Sequence, residues 1–169
     1  MTKFISILLF CLCFGVRAQN QDYVNFLGQF EEIELPIKID SSFVNFNESM
    51  NISTVKKYLS NDRNGIRLGL DSKLIPVGRF IIDFDGNIRD IIIIQITQEK
   101  TGLDYWYLMV YFNSNLESLK MIAVQDLNGI YNQSCTILDN KVITLNSKGN
   151  ATFLYELFND RFKFRKIYN

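Results

Sequence analysis

Beyond Pro76 the chain alternates apolar and polar residues in runs of strand length, and the breaks between runs are too short for anything but hairpins. The runs fall at 77–84, 87–97, 105–113, 118–125, 132–138, 141–146, 150–158 and 161–168. Each break carries turn chemistry: "DG" at Asp85 and Gly86, "KTGLD", "NSNLE", "LNGIY", "DN" at Asp139 and Asn140, "SKGN", and "ND" at Asn159 and Asp160. A parallel crossover needs about a dozen residues, so neighbours in sequence must pair antiparallel. The expected architecture is mainly β: an antiparallel meander of about eight strands, as an open or partly closed sheet.

Side-chain parity assigns the faces. In "YWYLMVYF" Trp106, Leu108, Val110 and Phe112 point one way, and Tyr105, Tyr107, Met109 and Tyr111 the other. In "RFKFRKI" Phe162, Phe164 and Lys166 alternate with Arg161, Lys163, Arg165 and Ile167. One side of that last strand is basic, which reads as a solvated face that discourages edge pairing.

The stretch before the meander predicts one or two short helices. "DYVNFLGQF" sets Val24, Leu27 and Phe30 at helical spacing with Asp22 as a cap. Pro36 stops any helix and opens an extended piece. "STVKKYLS" predicts a second helix capped by Ser53, with Val55, Tyr58 and Leu59 as its apolar side. The turn cluster "NDRNG" ends it at Gly65.

At the N-terminus, Lys3, an apolar run from Phe4 to Phe14 and a small-residue site at Ala18 form the three-part pattern of a signal peptide. The run is too short to span a bilayer as a helix. Cleavage after Ala18 leaves residues 19–169 as a single domain, secreted, periplasmic or at the cell surface, and not an integral membrane protein. It also removes Cys11 and Cys13, so Cys135 stands alone and no internal disulfide forms. Loss of Lys3 and Arg17 moves the formal balance from +0 to about −2, which offers no basic field for nucleic acid. A chain of this size buries roughly two thirds of its unfolded surface and needs no cross-link.

Composition excludes whole reaction classes. There is no histidine, so Ser-His-Asp triads, Cys-His dyads and imidazole zinc sites are ruled out. Carboxylate, lysine and tyrosine chemistry remain. No cofactor-binding pattern is present.

The "AQN" junction, "FLGQFEEIELPIKID", the short "ISTVKKYL" helix and a meander ending in "LYELFNDRFKFRKI" resemble short exported proteins of Bacteroidetes-type bacteria, mostly uncharacterised. That resemblance of layout implies an exported, mostly β domain and transfers no functional residue. Four Asn-x-Ser/Thr sequons, at Asn47, Asn51, Asn132 and Asn150, keep a eukaryotic secreted origin open as the alternative.

The Asp83, Asp85, Asn87 and Asp90 series in "FIIDFDGNIRDIIII" has the rhythm of a calcium loop. Glycine comes at the fourth position instead of the sixth, and Ile94 stands where the bidentate Glu belongs. A two-residue type I′ turn at Asp85 and Gly86 explains the residues better, with Arg89 neutralising Asp83 and Asp90. A weak extracellular-grade calcium site on those four residues is the alternative. The leading functional reading is a non-catalytic binding or interaction module for a protein or glycan, with Tyr105, Tyr107 and Tyr111 as its stacking row. The alternatives are a glycan-active carboxylate enzyme, with Asp83, Asp85, Asp90 or Asp104 as its pair, and an exported hydrolase inhibitor.

Overall fold

The computed structural model describes residues 21–60, 65–66, 68–69, 71–84, 86–138, 141–146, 151–158 and 161–166, with only the backbone for Phe84 and most of the last two strands. The proposed leader, Asp85, Asn150 and the side chains of the basic last strand lie outside what is described. No helix among the described residues is long and apolar enough to cross a membrane.

The fold is mainly β. Strand β1 spans Ile37–Ile39, and a continuous meander follows: β2 Ser72–Phe84, β3 Asn87–Gln98, β4 Leu103–Phe112, β5 Asn115–Gln125, β6 Tyr131–Leu138, β7 Lys141–Asn146, β8 Ala151–Phe158 and β9 Arg161–Lys166. Every neighbour pair in the order β2 to β9 is antiparallel. The meander and most of its boundaries match the periodicity. The two largest shifts are at the starts of β2 and β5, and β4 also begins two residues early, at Leu103. β2 begins at Ser72 and runs through Pro76, because the missing N–H falls where the register slips between Pro76 and Gly78 on an outer strand. The β4–β5 turn contracts to Asn113 and Ser114, both at positive φ (48° and 64°), so β5 starts earlier than "NSNLE" suggests.

Helix α1 covers residues 21–27, and α2 covers Ile52–Val55 and continues into a 3-10 turn at Lys56–Tyr58. Both helices depart from the expected caps. Asn51, not Ser53, caps α2: its side chain accepts from the Ser53 amide at 3.0 Å. Asp22 lies within α1 and pairs with Lys57 at 2.7 Å. Val24 faces solvent, and the buried side of α1 is Tyr23, Phe26 and Leu27, with Phe30 just beyond.

β3 is the centre of the molecule. Ile91 to Ile96 are all buried, because the sheet is covered on both sides. The inner cluster takes Ile91, Ile93, Trp106, Leu108, Val110 and Ile122, and reaches from Val77 and Phe80 on β2 to Val142 on β7. Residues so far apart in strand order share one cluster because the sheet curls into a half-barrel. The outer cluster takes Ile92, Ile94, Ile96, Met109 and Tyr111 on the convex side, sealed by α1, Val55, Tyr58 and Leu59.

One segment bridges the curl. Residues 31–33 lie parallel along β2, with the Arg79 amide donating to the Glu31 carbonyl at 2.8 Å and the Ile33 amide to the Arg79 carbonyl at 2.9 Å. After the cis Leu35–Pro36 bond the same segment becomes β1, which pairs antiparallel with Cys135 to Ile137 of β6. It takes the place that β5 vacates: β5 meets β6 only at Val124↔Gln133 and Gln125↔Tyr131. Ile33, Leu35, Ile37 and Ile39 all reach the inner cluster, the period-2 signature of a strand.

Candidate functional site

The tyrosine row does not form an open face. Tyr111 is wholly buried under α1 and donates its hydroxyl to the Tyr58 carbonyl. Tyr107 is half-buried and packs against the outer cluster, and Tyr105 is half-buried at the end of the row. The parity assigned from sequence holds, but the helical section covers that side. A row with a core residue in it is not a wet stacking platform, and burial raises the Tyr107 and Tyr111 hydroxyls above the usual tyrosine range.

The aspartate series is dispersed among structural tasks. The Phe84↔Asn87 pair closes a two-residue loop, with Gly86 at φ +82°, as a hairpin turn requires. Asp83 accepts the Gly86 amide at 2.8 Å. Asp90 accepts the Tyr23 hydroxyl at 2.8 Å and so anchors α1 to the sheet. Desolvation by burial, then the charge and hydrogen bond of Asp90, hold the Tyr23 hydroxyl protonated far above its ordinary value. Arg89 does not serve Asp83 and Asp90. It lies on the opposite face, 4% exposed, bonded to Glu117 at 2.9 Å and stacked 4.1 Å from the Phe112 ring centre. No group of three acidic or cysteine side chains suited to a metal occurs among the described residues. Asp104, from the same set of carboxylates, is on the inner side and accepts from Thr97.

The inner side holds a second polar group of interest. Trp106 stacks on Tyr131 with centroids 5.4 Å apart, and Phe43 meets the indole edge-on at 6.4 Å. Trp106 Nε1 and the Tyr131 hydroxyl are buried with no hydrogen-bond partner among the described residues. Burial, then Asp104 and Asp40, push the Tyr131 hydroxyl up to about 12. Cys135, on the same cluster, is buried and its thiol is likewise pushed up to about 12, mainly by desolvation, so it is a poor nucleophile.

The feature that combines access with chemistry is a cleft of about 480 Å³ between residues 32–35 and β2. It arises where the segment parts from β2: pairing ends at Arg79, and Glu34 and Leu35 swing away while Phe80 and Ile81 continue the strand. Arg79 stands at one end, its Nη2 bonded to Glu32 at 2.7 Å and its buried Nε without a partner among the described residues. Glu34 is exposed on the rim, and Ile81 is 54% exposed. The cleft thus has an apolar flank, a guanidinium, an acidic rim and a strand edge. None of its residues belonged to the sequence-derived site. The alternation of "EEIELPIKI" carried the signal for an extended segment, but its distance from β2 in the chain concealed the juxtaposition with Arg79. A second hollow of about 340 Å³ beside Ile52, Leu59 and Leu68 is lined mainly by the outer cluster and its helix.

The sequons also separate. The Asn47 side chain donates to the Pro76 carbonyl at 2.9 Å, Asn51 is the α2 cap, and Asn132 is exposed on β6. In comparisons with known proteins the chain matches no family, no curated protein and no solved structure.

Proposed function

We propose that this chain is an exported, non-catalytic binding module that works through the cleft between residues 32–35 and β2. The observation that carries the reading is the parting of segment and strand at Arg79, which leaves an open, mixed apolar and charged cleft beside a β3–β4 sheet centre that is packed on both sides. The absence of histidine and the structural employment of Asp83, Asp90 and Asp104 support binding over catalysis. The leader pattern at residues 1–18 supports export.

Two measurements test this reading. The mass of the native product should correspond to a chain starting at Gln19; an intact N-terminus rejects export by cleavage. Isotope-labelled protein titrated with pools of short peptides and oligosaccharides should show amide shifts centred on Arg79 and Ile81. Turnover of any pool member, or shifts confined to other regions, rejects the reading.

A further inference from the structure

We infer that the edge of β2 at Ile81 and Asp83 accepts an extended, basic polypeptide segment as an added strand; this rests on the binding-module reading and names its partner. In an antiparallel pair, alternate residues direct both backbone groups outward. Arg79 does so, since its N–H and C=O both bond to residues 31–33. Ile81 and Asp83 share its parity, and no backbone bond among the described residues meets their outward groups.

The rest of this edge is occupied. The Leu74 carbonyl accepts the Met50 amide at 2.7 Å, the Pro76 carbonyl accepts the Asn47 side chain at 2.9 Å and that of Asn45 at 3.2 Å, and residues 31–33 cover Arg79. Proteins blunt exposed edges because unpaired strands recruit other strands. Here blunting stops at Arg79, and the two outward-facing residues between it and the hairpin, Ile81 and Asp83, lie where the cleft begins.

Side chains around the free edge select the partner. Ile81 and Ile88 are 54% and 58% exposed, and the Asp83↔Ile88 and Ile81↔Asp90 pairs set them side by side on the outer face. Glu32 and Glu34 border the cleft and Asp83 stands on the edge itself, while Arg79 is engaged by Glu32. The local balance is acidic. An incoming strand with apolar residues over Ile81 and Ile88 and Lys or Arg toward Glu34 and Asp83 satisfies both features, whereas an acidic strand meets like charge. Main-chain bonds would supply affinity and these side chains the specificity, as in other strand-addition complexes.

The test uses the chain from Gln19 and an eight-residue peptide of alternating valine and lysine. Binding should shift the Ile81 and Asp83 amides and slow their hydrogen exchange. N-methylation of alternate peptide residues keeps charge but removes pairing, and should weaken binding by about tenfold, the loss expected for a few main-chain bonds. Glu34→Gln with Asp83→Asn should weaken it by roughly three- to tenfold and flatten its salt dependence. Ile81→Lys, at an exposed position, should retain the fold and abolish binding. Equal binding of the N-methylated peptide, or equal binding of a valine–glutamate peptide, overturns strand addition by a basic segment. If an oligosaccharide shifts Arg79 and Ile81 while the valine–lysine peptide does not, the inference falls and the binding module stands. If no ligand shifts the cleft, both fall.

Discussion

Single residues carry the tightest constraints, and glycines at two positions separate close packing from backbone conformation. A Cβ on Gly78 would lie 2.4 Å from Ile33 Cγ2, so Gly78→Val must displace the Ile33 side chain, should loosen residues 31–33 from β2 and should cost about 2 kcal/mol or more, as overpacked sites do. Gly86 has nothing within 4 Å of such an atom but stands at φ +82°, so Gly86→Val should cost about 1–2 kcal/mol through conformation alone. Urea midpoints of the two variants check both values, and only the Gly78 variant should expose the Arg79 amide to fast exchange. The hydroxyl of Tyr131 is buried without a partner among the described residues, so Tyr131→Phe should leave stability unchanged or raise it by up to about 1 kcal/mol. A loss of more than that in thermal unfolding would show that the hydroxyl has a partner after all. Because Asp83 and Asp90 are engaged by Gly86 and Tyr23, millimolar calcium should leave Tm unchanged; a rise of several degrees would mark an ion bound to the native state.

At the level of elements, α1 is held by its aromatic side and not by its own propensity. A helix of two turns is unstable alone. Phe26 is 2% exposed and stacks on Tyr58 at 4.4 Å, with Phe30 edge-on at 5.4 Å and Tyr111 at 5.8 Å. Phe26→Ala should therefore cost about 3–5 kcal/mol, the range for a large aromatic removed from a core, and should unseat the helix from the convex face. Hydrogen exchange of the α1 amides and denaturant unfolding report the two effects together. β1 illustrates the reverse case. Three residues make no independent strand, yet Ile37 and Ile39 are held because β5 has turned away from β6 and leaves both an edge and an apolar slot.

The whole molecule should be more sensitive to alkali than to mild acid. Tyr23, Tyr107, Tyr111 and Tyr131 all keep their protons above the ordinary tyrosine value of 10.0 when folded, and Cys135 above 9.0, because burial disfavours the charged forms. Above those ordinary values the unfolded chain binds fewer protons than the folded one, so stability falls as pH rises. The loss should begin near pH 9 to 10 and continue through about 12, where Tyr131 and Cys135 ionise in the fold. On the acid side Asp40, bonded first by Lys38 and then by Ser42, is held at about 2. Its contribution is present above the ordinary 3.8 and disappears as pH falls toward 2, and the exposure of its partner Lys38 keeps that contribution small. Urea midpoints at about pH 7, 9 and 11 check the prediction, since only the last should drop steeply.

The local period of the chain was enough to establish the β2-to-β9 meander, its hairpins and the two faces of β4, because alternation and turn residues act between neighbours in sequence. The two-residue loop between Phe84 and Asn87, with Gly86 at positive φ, was legible for that reason. What tertiary structure decided is which faces stay wet and which distant segments meet. Tyr111 and Tyr107 have the same strand parity whether bare or covered, and only the docking of Phe26 and Tyr58 puts Tyr111 in a core. Arg89 and Asp90 are adjacent in sequence yet serve opposite faces, one with Glu117 and the other with Tyr23, since consecutive strand residues point apart. The cleft depends on residues 31–35 reaching β2 from far along the chain and then leaving it after Arg79. No local pattern encodes that departure, because it follows from the curl of the sheet carrying β6 to where β1 can pair with it.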